Sequence, residues 1–243
     1  MFALGRLPHD PEAYAATTPI PDHHLMAVAG SDALVRPDWR PCLGHNDRWP
    51  TCTTTGLANA ARMVEIANGG DLALDDDRMA EKFSVWTGIP YTPEAMAASS
   101  GARLLDILDH QAAEGFDIGT PTPLVALWGR IGHDRVSLAR SIRTFGHAYL
   151  GVDLHQRDVE GHILWDAVDG RDDGPVVGGH CICPYDFTGL GDTDTVRIAT
   201  WGFLMPATWA WVEARILESY ALAWRQLALP GVDFDALERE LRP

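Results

Sequence analysis

The hydrophobic pattern of this chain of 243 residues changes character near its middle. In the first half, apolar residues recur at three- and four-residue steps, which is typical of amphipathic helices. In the second half, β-branched and apolar runs are bounded by turn-forming residues, which is typical of strands. The predicted helices are residues 53–67, 76–87, 104–114 and 134–144, and the predicted strands are 148–154, 176–186 and 195–201. This order predicts an α+β fold, with a helical half followed by an antiparallel β half.

The last two strands are predicted to form a hairpin. Residues 188–194 between them are rich in Gly, Thr and Asp, which favour turns. Antiparallel partners are symmetric about the turn, so a turn centred near residue 190 or 191 brings His180 opposite a residue close to Trp201. Beyond the hairpin, residues 208–217 and 233–242 are predicted to be helical, whereas the periodicity of residues 220–227 fits either a closing strand or a helix.

Residues 1–41 contain six prolines and show neither helical nor strand periodicity. This composition predicts an extended arm that lies over the body of the protein or over a partner. The chain therefore divides into a proline-rich arm (1–41), a helical lobe (42–118), a β lobe (119–229) and a C-terminal tail helix (230–243).

The acidic composition limits the partners of the protein. The 34 Asp and Glu residues outnumber the 19 Lys and Arg residues, which gives a net charge of −15 at pH 7. Such a charge repels phosphate backbones and anionic lipids, so we expect neither nucleic acid nor a membrane as a partner. The first residues lack the basic start and the long apolar run of a secretory signal, and we expect synthesis in a cytoplasm. The sequence indicates no cofactor.

Four cysteines, Cys42, Cys52, Cys181 and Cys183, are too few for a disulfide framework. Cys52 begins the first predicted helix, where unpaired backbone N–H groups and the helix dipole favour a thiolate. We expect a low thiol pKa if the site is also partly open. The alternative is a small buried hydrophobic residue, which is the usual state of a single cysteine.

His180 is the candidate base for Cys52. It follows Gly178-Gly179 at the start of a predicted strand, and glycines there allow another chain or a substrate backbone to come close. Thr200 and Trp201, across the hairpin, are predicted to flank the imidazole, where the indole would exclude water.

Asn46 lies six residues before Cys52 and is the candidate oxyanion donor. Its side-chain amide could join the backbone N–H of Cys52 in stabilising a tetrahedral oxyanion. Trp49, between Asn46 and Cys52, is a further candidate for contact with substrate or for shielding.

The order of these residues resembles that of the papain-like cysteine peptidase superfamily. Those enzymes have an oxyanion glutamine, a nucleophilic cysteine at the head of the central helix, a distant Gly-His and then Asn-Ser-Trp-Gly. Asn46, Cys52, Gly179-His180 and Trp201-Gly202 match these positions, and His180 follows Cys52 by 128 residues, near the roughly 130–150 of papain-type enzymes. The resemblance covers about residues 43–227. It implies a two-lobed fold with the cysteine as nucleophile and the histidine as base.

A narrower resemblance is to papain-like proteins encoded by tailed phages and prophages. It rests on Leu-Gly-Arg-Leu-Pro at residues 4–8, on Asn46-Asp47, Cys52-Thr53, Gly178-Gly179-His180 and Thr200-Trp201-Gly202, and on Phe-Asp-Ala-Leu at residues 234–237. This resemblance implies a virion or virion-associated structural protein, made in the host cytoplasm and located in the virion. The arm and the acidic surface would then dock onto other virion proteins of the capsid or tail.

The sequence departs from the papain pattern around the third triad residue. Ala199 stands where the peptidases have the Asn that orients the histidine, and Thr200 replaces the neighbouring Ser. Unless Thr200 or a backbone carbonyl takes its place, the third triad residue is missing, a loss that costs about 10⁴ in turnover in a serine triad. We therefore expect a structural virion protein with a degenerate Cys52–His180 site. The alternative is an active cysteine peptidase or amidase that cleaves a peptide or isopeptide bond.

Two other assignments use residues near this site. Cys42, His45, Cys181 and Cys183 are potential zinc ligands, but their spacing is not that of common zinc modules, and we expect no metal. His162 also follows a glycine and is the second candidate for the base, although it lies only 110 residues after Cys52.

Overall fold

The structure, a computed structural model, describes residues 3–29, 32–34, 36, 38–161, 163–227 and 229–241. Its helices are α1 (Pro11–Ala16), α2 (Cys52–Ala67), α3 (Asp76–Thr87), α4 (Pro93–Ala97), α5 (Leu104–Glu114), α6 (Arg135–Phe145), α7 (Trp209–Arg215) and α8 (Phe234–Leu241). Its strands are β1 (Ala126–Arg130), β2 (Tyr149–His155), β3 (Val176–Phe187), β4 (Thr195–Thr200), β5 (Phe203–Thr208) and β6 (Ile216–Trp224). Within the described ranges, no helix combines the length and apolar composition needed to cross a bilayer. The predicted α+β class is confirmed.

The helical lobe is built around α2. Twelve of the sixteen residues of α2 are buried, and the helix packs against α3, α5 and β3. Next to it, α3 is capped at its start by Asp75, whose side chain accepts hydrogen bonds from the backbone N–H groups of Asp77 and Arg78, and is followed by Gly88 in the left-handed conformation (φ 71°). Because α2 is central and begins at Cys52, the thiol lies at the junction between the lobe and the sheet.

The six strands form one antiparallel sheet in the order β1-β6-β2-β3-β4-β5. The predicted hairpin is β3–β4, in which Cys183 pairs with Ala199. The earlier residues of β3 pair with β2, where Val152 lies opposite His180. His180 therefore lies just before the point at which β3 begins to pair with β4, and the end of β4 brings Thr200 beside it.

Both faces of the sheet are covered. Cys181, Cys183 and Tyr185 point into a core shared with the helical lobe, whereas Ile182 points into a second core with α6 and α7. Successive side chains of a strand alternate between faces, so a strand buried on both sides is apolar throughout. This burial explains the continuous apolar runs in the second half of the sequence.

The sequence prediction missed α1, α4, β1 and β5 and misplaced one boundary. Pro206 argues against a strand, but β5 is an edge strand of the sheet, where a residue without an N–H is tolerated. The helix predicted for residues 208–217 is too long, because α7 ends at Arg215 and β6 starts at Ile216. The residues from Ile216 onward pair with β1 and β2, and this pairing overrides the helical pattern.

The described part of the arm lies on the chain's own body. The backbone N–H of Ile20 donates to the carbonyl oxygen of Arg130 (2.8 Å), and Leu34 forms an isolated antiparallel bridge with Phe187. The arm is not extended throughout, since it contains α1, which is capped by the side chain of Asp10. Docking of the arm onto a partner protein stays a prediction.

Asp76 stabilises the loop that leads to Cys52. Its Oδ1 accepts hydrogen bonds from the backbone N–H groups of Leu43 (3.0 Å) and Gly44 (2.7 Å) and from the thiol of Cys42 (2.9 Å). The substitution Asp76→Ala leaves these donors without their acceptor, so we expect the free energy of unfolding in urea to fall by about 1–3 kcal/mol. Asp47→Ala removes an exposed carboxylate from the same loop and should change it by less than about 0.5 kcal/mol. Equal losses in the two variants would contradict this role of Asp76.

Candidate active site

The predicted site residues meet where the start of α2 faces β3 and β4. Asn46, Cys52, His180, Thr200 and Trp201 line one small cavity. Its volume is about 10 Å³, which is room for about one water molecule. The remaining lining residues are Thr55, Gly56, Asn59, Cys181 and Ala199. The fold therefore brings the thiol and the imidazole from distant parts of the chain to one cavity.

Cys52 is the first residue of α2, but its surroundings are closed. The residue is only 3% exposed. Burial raises the pKa of its thiol to about 12, although backbone hydrogen bonds from Cys181 and Gly5 act in the opposite direction. The expected low pKa required a partly open site, and the buried Cys52 does not meet this condition.

His180 is held on both its face and its edge. Its Nε2 lies 2.7 Å from Oγ1 of Thr200, and its ring stacks on Trp201 with 4.3 Å between ring centroids and 21° between planes. Nδ1 is buried and has no hydrogen-bond partner among the described residues. Burial, with a smaller contribution from the nearby Arg6 cation, lowers the pKa of His180 to about 3. The imidazole is therefore neutral, with one nitrogen in contact with a hydroxyl and the other available.

Trp201 reaches the imidazole from a tight turn. Trp201 and Gly202 join β4 to β5, and both have positive φ angles, 44° and 77°. A two-residue connection of this kind is a type I′ hairpin turn. Trp is strained in this conformation, and such residues concentrate at functional sites. Ala199 offers no polar side chain to the histidine, and the neighbouring Thr200 makes the contact.

Asn46 is buried, and its amide is already in use. Its Nδ2 donates to the carbonyl oxygens of Trp49 (3.0 Å) and Ala3 (3.3 Å). The carbonyl oxygen of Ala3 thus accepts a hydrogen bond from the amide that an oxyanion would need as its donor. Trp49 packs against His45 and Tyr91, with ring centroids 4.9 and 5.8 Å away, and does not line the cavity. Contact of Trp49 with a substrate therefore stays a prediction.

Residues 3–8, here called the N-terminal segment, cross the site and join the two lobes. Arg6 donates its backbone N–H to the carbonyl oxygen of Gly179 in the β lobe (3.1 Å). Leu7 donates to the carbonyl oxygen of Ala102 in the helical lobe (3.0 Å), and Ala102 donates to that of Gly5 (2.9 Å). The segment therefore lies as an extra strand between the lobes, with Gly5 against the sulfur of Cys52.

Two glycines make this close approach possible. A Cβ on Gly5 would lie 2.2 Å from the carbonyl oxygen of Pro50, and a Cβ on Gly179 would lie 2.5 Å from that of Arg6. Both distances are far shorter than van der Waals contact, so neither position accepts a larger residue while the segment is bound. Gly179, predicted from the sequence to face a substrate backbone, here faces the backbone of the N-terminal segment.

The four potential zinc ligands do not come together in the part of the chain that the structure describes. The group of His, Cys, Asp or Glu side chains whose ligand atoms lie within 4.8 Å of one another is His23, His24 and Glu240, between the arm and α8. This group lies away from the cavity. His162, the second candidate for the base, lies outside the described residues.

Sequence reasoning missed two carboxylates beside the site. Glu218 on β6 and Asp153 on β2 both contact the side chain of Arg6. No motif marks either residue. The available signal was Glu218 itself, an acidic residue within the apolar run Ile216–Trp224, because charged residues are seldom fully buried unless they are paired.

The structure is similar to solved cysteine proteases at low sequence identity. Xylellain, a cysteine protease from Xylella fastidiosa, is 12% identical and superposes with a TM-score of 0.65, covering 91% of this chain and 96% of its own. Procathepsin B S9 from Trypanosoma congolense is 11% identical, with a TM-score of 0.54 and coverage of 90% and 85%. A digestive procathepsin L2 proteinase from the larval midgut of Tenebrio molitor is 12% identical, with a TM-score of 0.54 and coverage of 91% and 78%.

No protein-family model and no curated protein sequence matches the chain. The similarity to solved structures shows that the chain has the papain-like fold predicted from the sequence, with a helical lobe and a sheet lobe.

Two buried histidines make the folded state sensitive to acid. Burial lowers the pKa values of His147 and His180 from an ordinary 6.5 to about 3. Between these values the unfolded chain binds more protons than the folded chain, so stability that is complete above about pH 6.5 is lost as the pH falls toward 3. Each histidine should contribute a slope of up to about 1.4 kcal/mol per pH unit to the free energy of unfolding.

His147→Gln and His180→Gln test this slope separately. The free energy of unfolding in urea is measured for each variant and for the wild type between about pH 4 and pH 7. In each variant, its slope against pH should be smaller by the equivalent of about one bound proton. A slope equal to that of the wild type would mean that the replaced histidine is not held neutral in the folded state.

Proposed function

We propose that the chain is a latent papain-like cysteine hydrolase, which cleaves a peptide or isopeptide bond once the N-terminal segment leaves the cleft between the two lobes. The observation that carries the proposal is the single cavity lined by Cys52, His180 and Asn46. A nucleophile, a base and an oxyanion donor around one cavity are the groups that acyl transfer requires. The similarity of the fold to cysteine proteases supports the same assignment.

In the proposed reaction, the sulfur of Cys52 attacks the carbonyl carbon of the scissile bond while Nδ1 of His180 accepts the thiol proton. The amide of Asn46 and backbone N–H groups at the start of α2 hold the oxyanion of the tetrahedral intermediate. His180 then gives its proton to the leaving amine, and the acyl group stays on Cys52 as a thioester. A water molecule, deprotonated by His180, hydrolyses the thioester and restores the thiol.

Thr200 is proposed to orient the histidine. Its hydroxyl accepts the hydrogen of Nε2, which leaves Nδ1 as the unprotonated nitrogen. A neutral hydroxyl stabilises an imidazolium less than a carboxylate does, because hydrogen bonds to charged acceptors are the stronger ones. We therefore expect slower turnover than a complete triad gives.

The N-terminal segment is proposed to keep this site inactive. It covers the sulfur of Cys52, uses the amide of Asn46 and brings the Arg6 cation near His180. Its departure would expose the thiol to water, and because burial is the largest cause of the raised pKa of Cys52, this pKa would fall even though the thiolate also loses the favourable effects of the Gly5 backbone and the Arg6 cation. Exposure and the loss of the Arg6 cation would both raise the pKa of His180. Both changes favour a thiolate–imidazolium pair.

A second candidate is a virion-associated structural protein of a tailed phage that keeps the fold without the activity. The observation in its favour is that the thiol and the imidazole are both buried and neutral. In this proposal the protein is located in the virion, and its arm and acidic surface contact other capsid or tail proteins. Because Ile20 and Leu34 of the arm pack on the chain itself, the outward face of the arm would make those contacts.

The two candidates differ in the reactivity of Cys52. All four cysteines are buried and should react slowly with iodoacetamide in the wild type. Gly5→Val adds a side chain where a Cβ already meets a carbonyl oxygen at 2.2 Å, so the segment should be displaced. We expect the alkylation rate of Cys52, followed by mass spectrometry, to rise by about tenfold or more relative to Cys42 and Cys183.

Pro8→Val, at an exposed position of the same segment, is the matched control and should leave the rate near that of the wild type. Adding His180→Ala to Gly5→Val should remove the gain. The Gly5→Val variant should also cleave a fluorogenic peptide, and Cys52→Ser in the same background should not. If Cys52 in Gly5→Val reacts no faster than Cys42 and Cys183, the hydrolase proposal fails.

A further inference from the structure

The side chain of Arg6 fills a pocket of the β lobe beside the site. The Arg6 side chain is 1% exposed. Nε donates to the carbonyl oxygen of Val152 (3.3 Å), Nη1 to Oε1 of Glu218 (3.3 Å) and Nη2 to Oδ1 of Asp153 (2.5 Å). Each nitrogen of the planar group therefore meets an acceptor supplied by β2 or β6.

Nη1 of Arg6 also donates to the carbonyl oxygen of Leu7 in the N-terminal segment (3.1 Å), whereas the two carboxylates and the space for the arginine stem belong to the sheet. Tyr220 donates its hydroxyl hydrogen to Oε2 of Glu218 (2.9 Å), which leaves Oε1 directed at the guanidinium. A Cβ on Gly151 would lie 2.5 Å from Cγ of Glu218 and 2.8 Å from Cδ of Arg6, so this glycine leaves room for the arginine stem. Glu218, Tyr220 and Gly151 hold these positions through β-ladder pairing, which does not involve the segment.

The pocket without Arg6 would hold two carboxylates, of which Glu218 is 1% exposed. Burial raises the pKa of the Glu218 carboxyl, whereas the Arg6 cation and the Tyr220 hydroxyl lower it. An unpaired charge at such a depth is unfavourable, so a cation is the complementary occupant. A guanidinium meets three separate acceptors with three nitrogens, whereas an ammonium has a single nitrogen for all of them.

We propose that this pocket, vacated by Arg6, binds the guanidinium of an arginine side chain in a peptide substrate. The proposal rests on the proposed function, because it takes a peptide to be the occupant of the cleft. The backbone of Arg6 pairs with Gly179, the residue before His180, and the adjacent Gly5 lies against the sulfur of Cys52. An arginine bound in this way lies next to the residue that faces the nucleophile.

A binding experiment tests the pocket without requiring turnover. The protein is the full chain with Arg6→Ala and Cys52→Ala, and the ligand is a peptide with the sequence of residues 3–9, Ala-Leu-Gly-Arg-Leu-Pro-His. The control peptide has citrulline in place of arginine, which keeps the shape and removes the charge. Calorimetric titration should give a Kd at least about tenfold lower for the arginine peptide.

The substitution Glu218→Gln in the same protein should abolish this difference between the peptides. Equal Kd values for the two peptides, or a preference for arginine that survives Glu218→Gln, would overturn the proposal.

If the Arg6→Ala chain does not fold, Arg6→Met keeps most of the stem without the charge and allows the same comparison. The binding experiment does not depend on hydrolysis, because its protein lacks Cys52. If the chain never hydrolyses a peptide, the proposed function is refuted, but the proposal of an arginine pocket is not. A chain that cleaves citrulline and arginine peptides equally well would refute the pocket alone.

Discussion

The closed state of this protein depends on one buried guanidinium. Arg6 would be costly to bury without Glu218 and Asp153, and removing one partner of a buried ion pair typically costs about 3–5 kcal/mol. The backbone around Arg6 pairs with Gly179 on one lobe and Ala102 on the other. The ion pair therefore helps to hold the segment between the lobes, and in the proposed function its release exposes Cys52 to water.

The site itself is a consequence of how the sheet is covered. Alternation along β3 directs Cys181 and Cys183 toward α2 while Ile182 faces the opposite core, so the start of α2 is held directly on the sheet. The end of β4 then supplies Thr200, and the turn after it supplies Trp201. Both residues act on His180 from one hairpin. The electrostatic state of the pair is set by a different element, the N-terminal segment, which buries the thiol and adds a cation near the imidazole.

Much of this arrangement could be predicted because it is encoded locally. The apolar spacing after Cys52 predicts α2, and the symmetry of a hairpin about residues 190 and 191 places Thr200 and Trp201 beside His180, which the contact of 2.7 Å and the ring stacking show. The contacts of Arg6 are different. The residue meets Asp153 and Glu218 across separations of 147 and 212 residues, and no periodicity or turn composition reports such pairing. The burial of Cys52, which removes the condition for a low thiol pKa, could not be predicted for the same reason, since residues far away in the sequence contribute to it.

The central claim is that residues 3–8 occupy the cleft between the lobes in the folded chain. Amide hydrogen exchange of the full-length protein, resolved by NMR, tests it most directly, because Arg6 and Leu7 donate their backbone N–H groups to opposite lobes. The account predicts that both amides exchange as slowly as those of the β2–β3 ladder, with protection that requires sub-global unfolding for release. Exchange of Arg6 and Leu7 at the rate of an unstructured peptide, while the β2–β3 ladder stays protected, would contradict it.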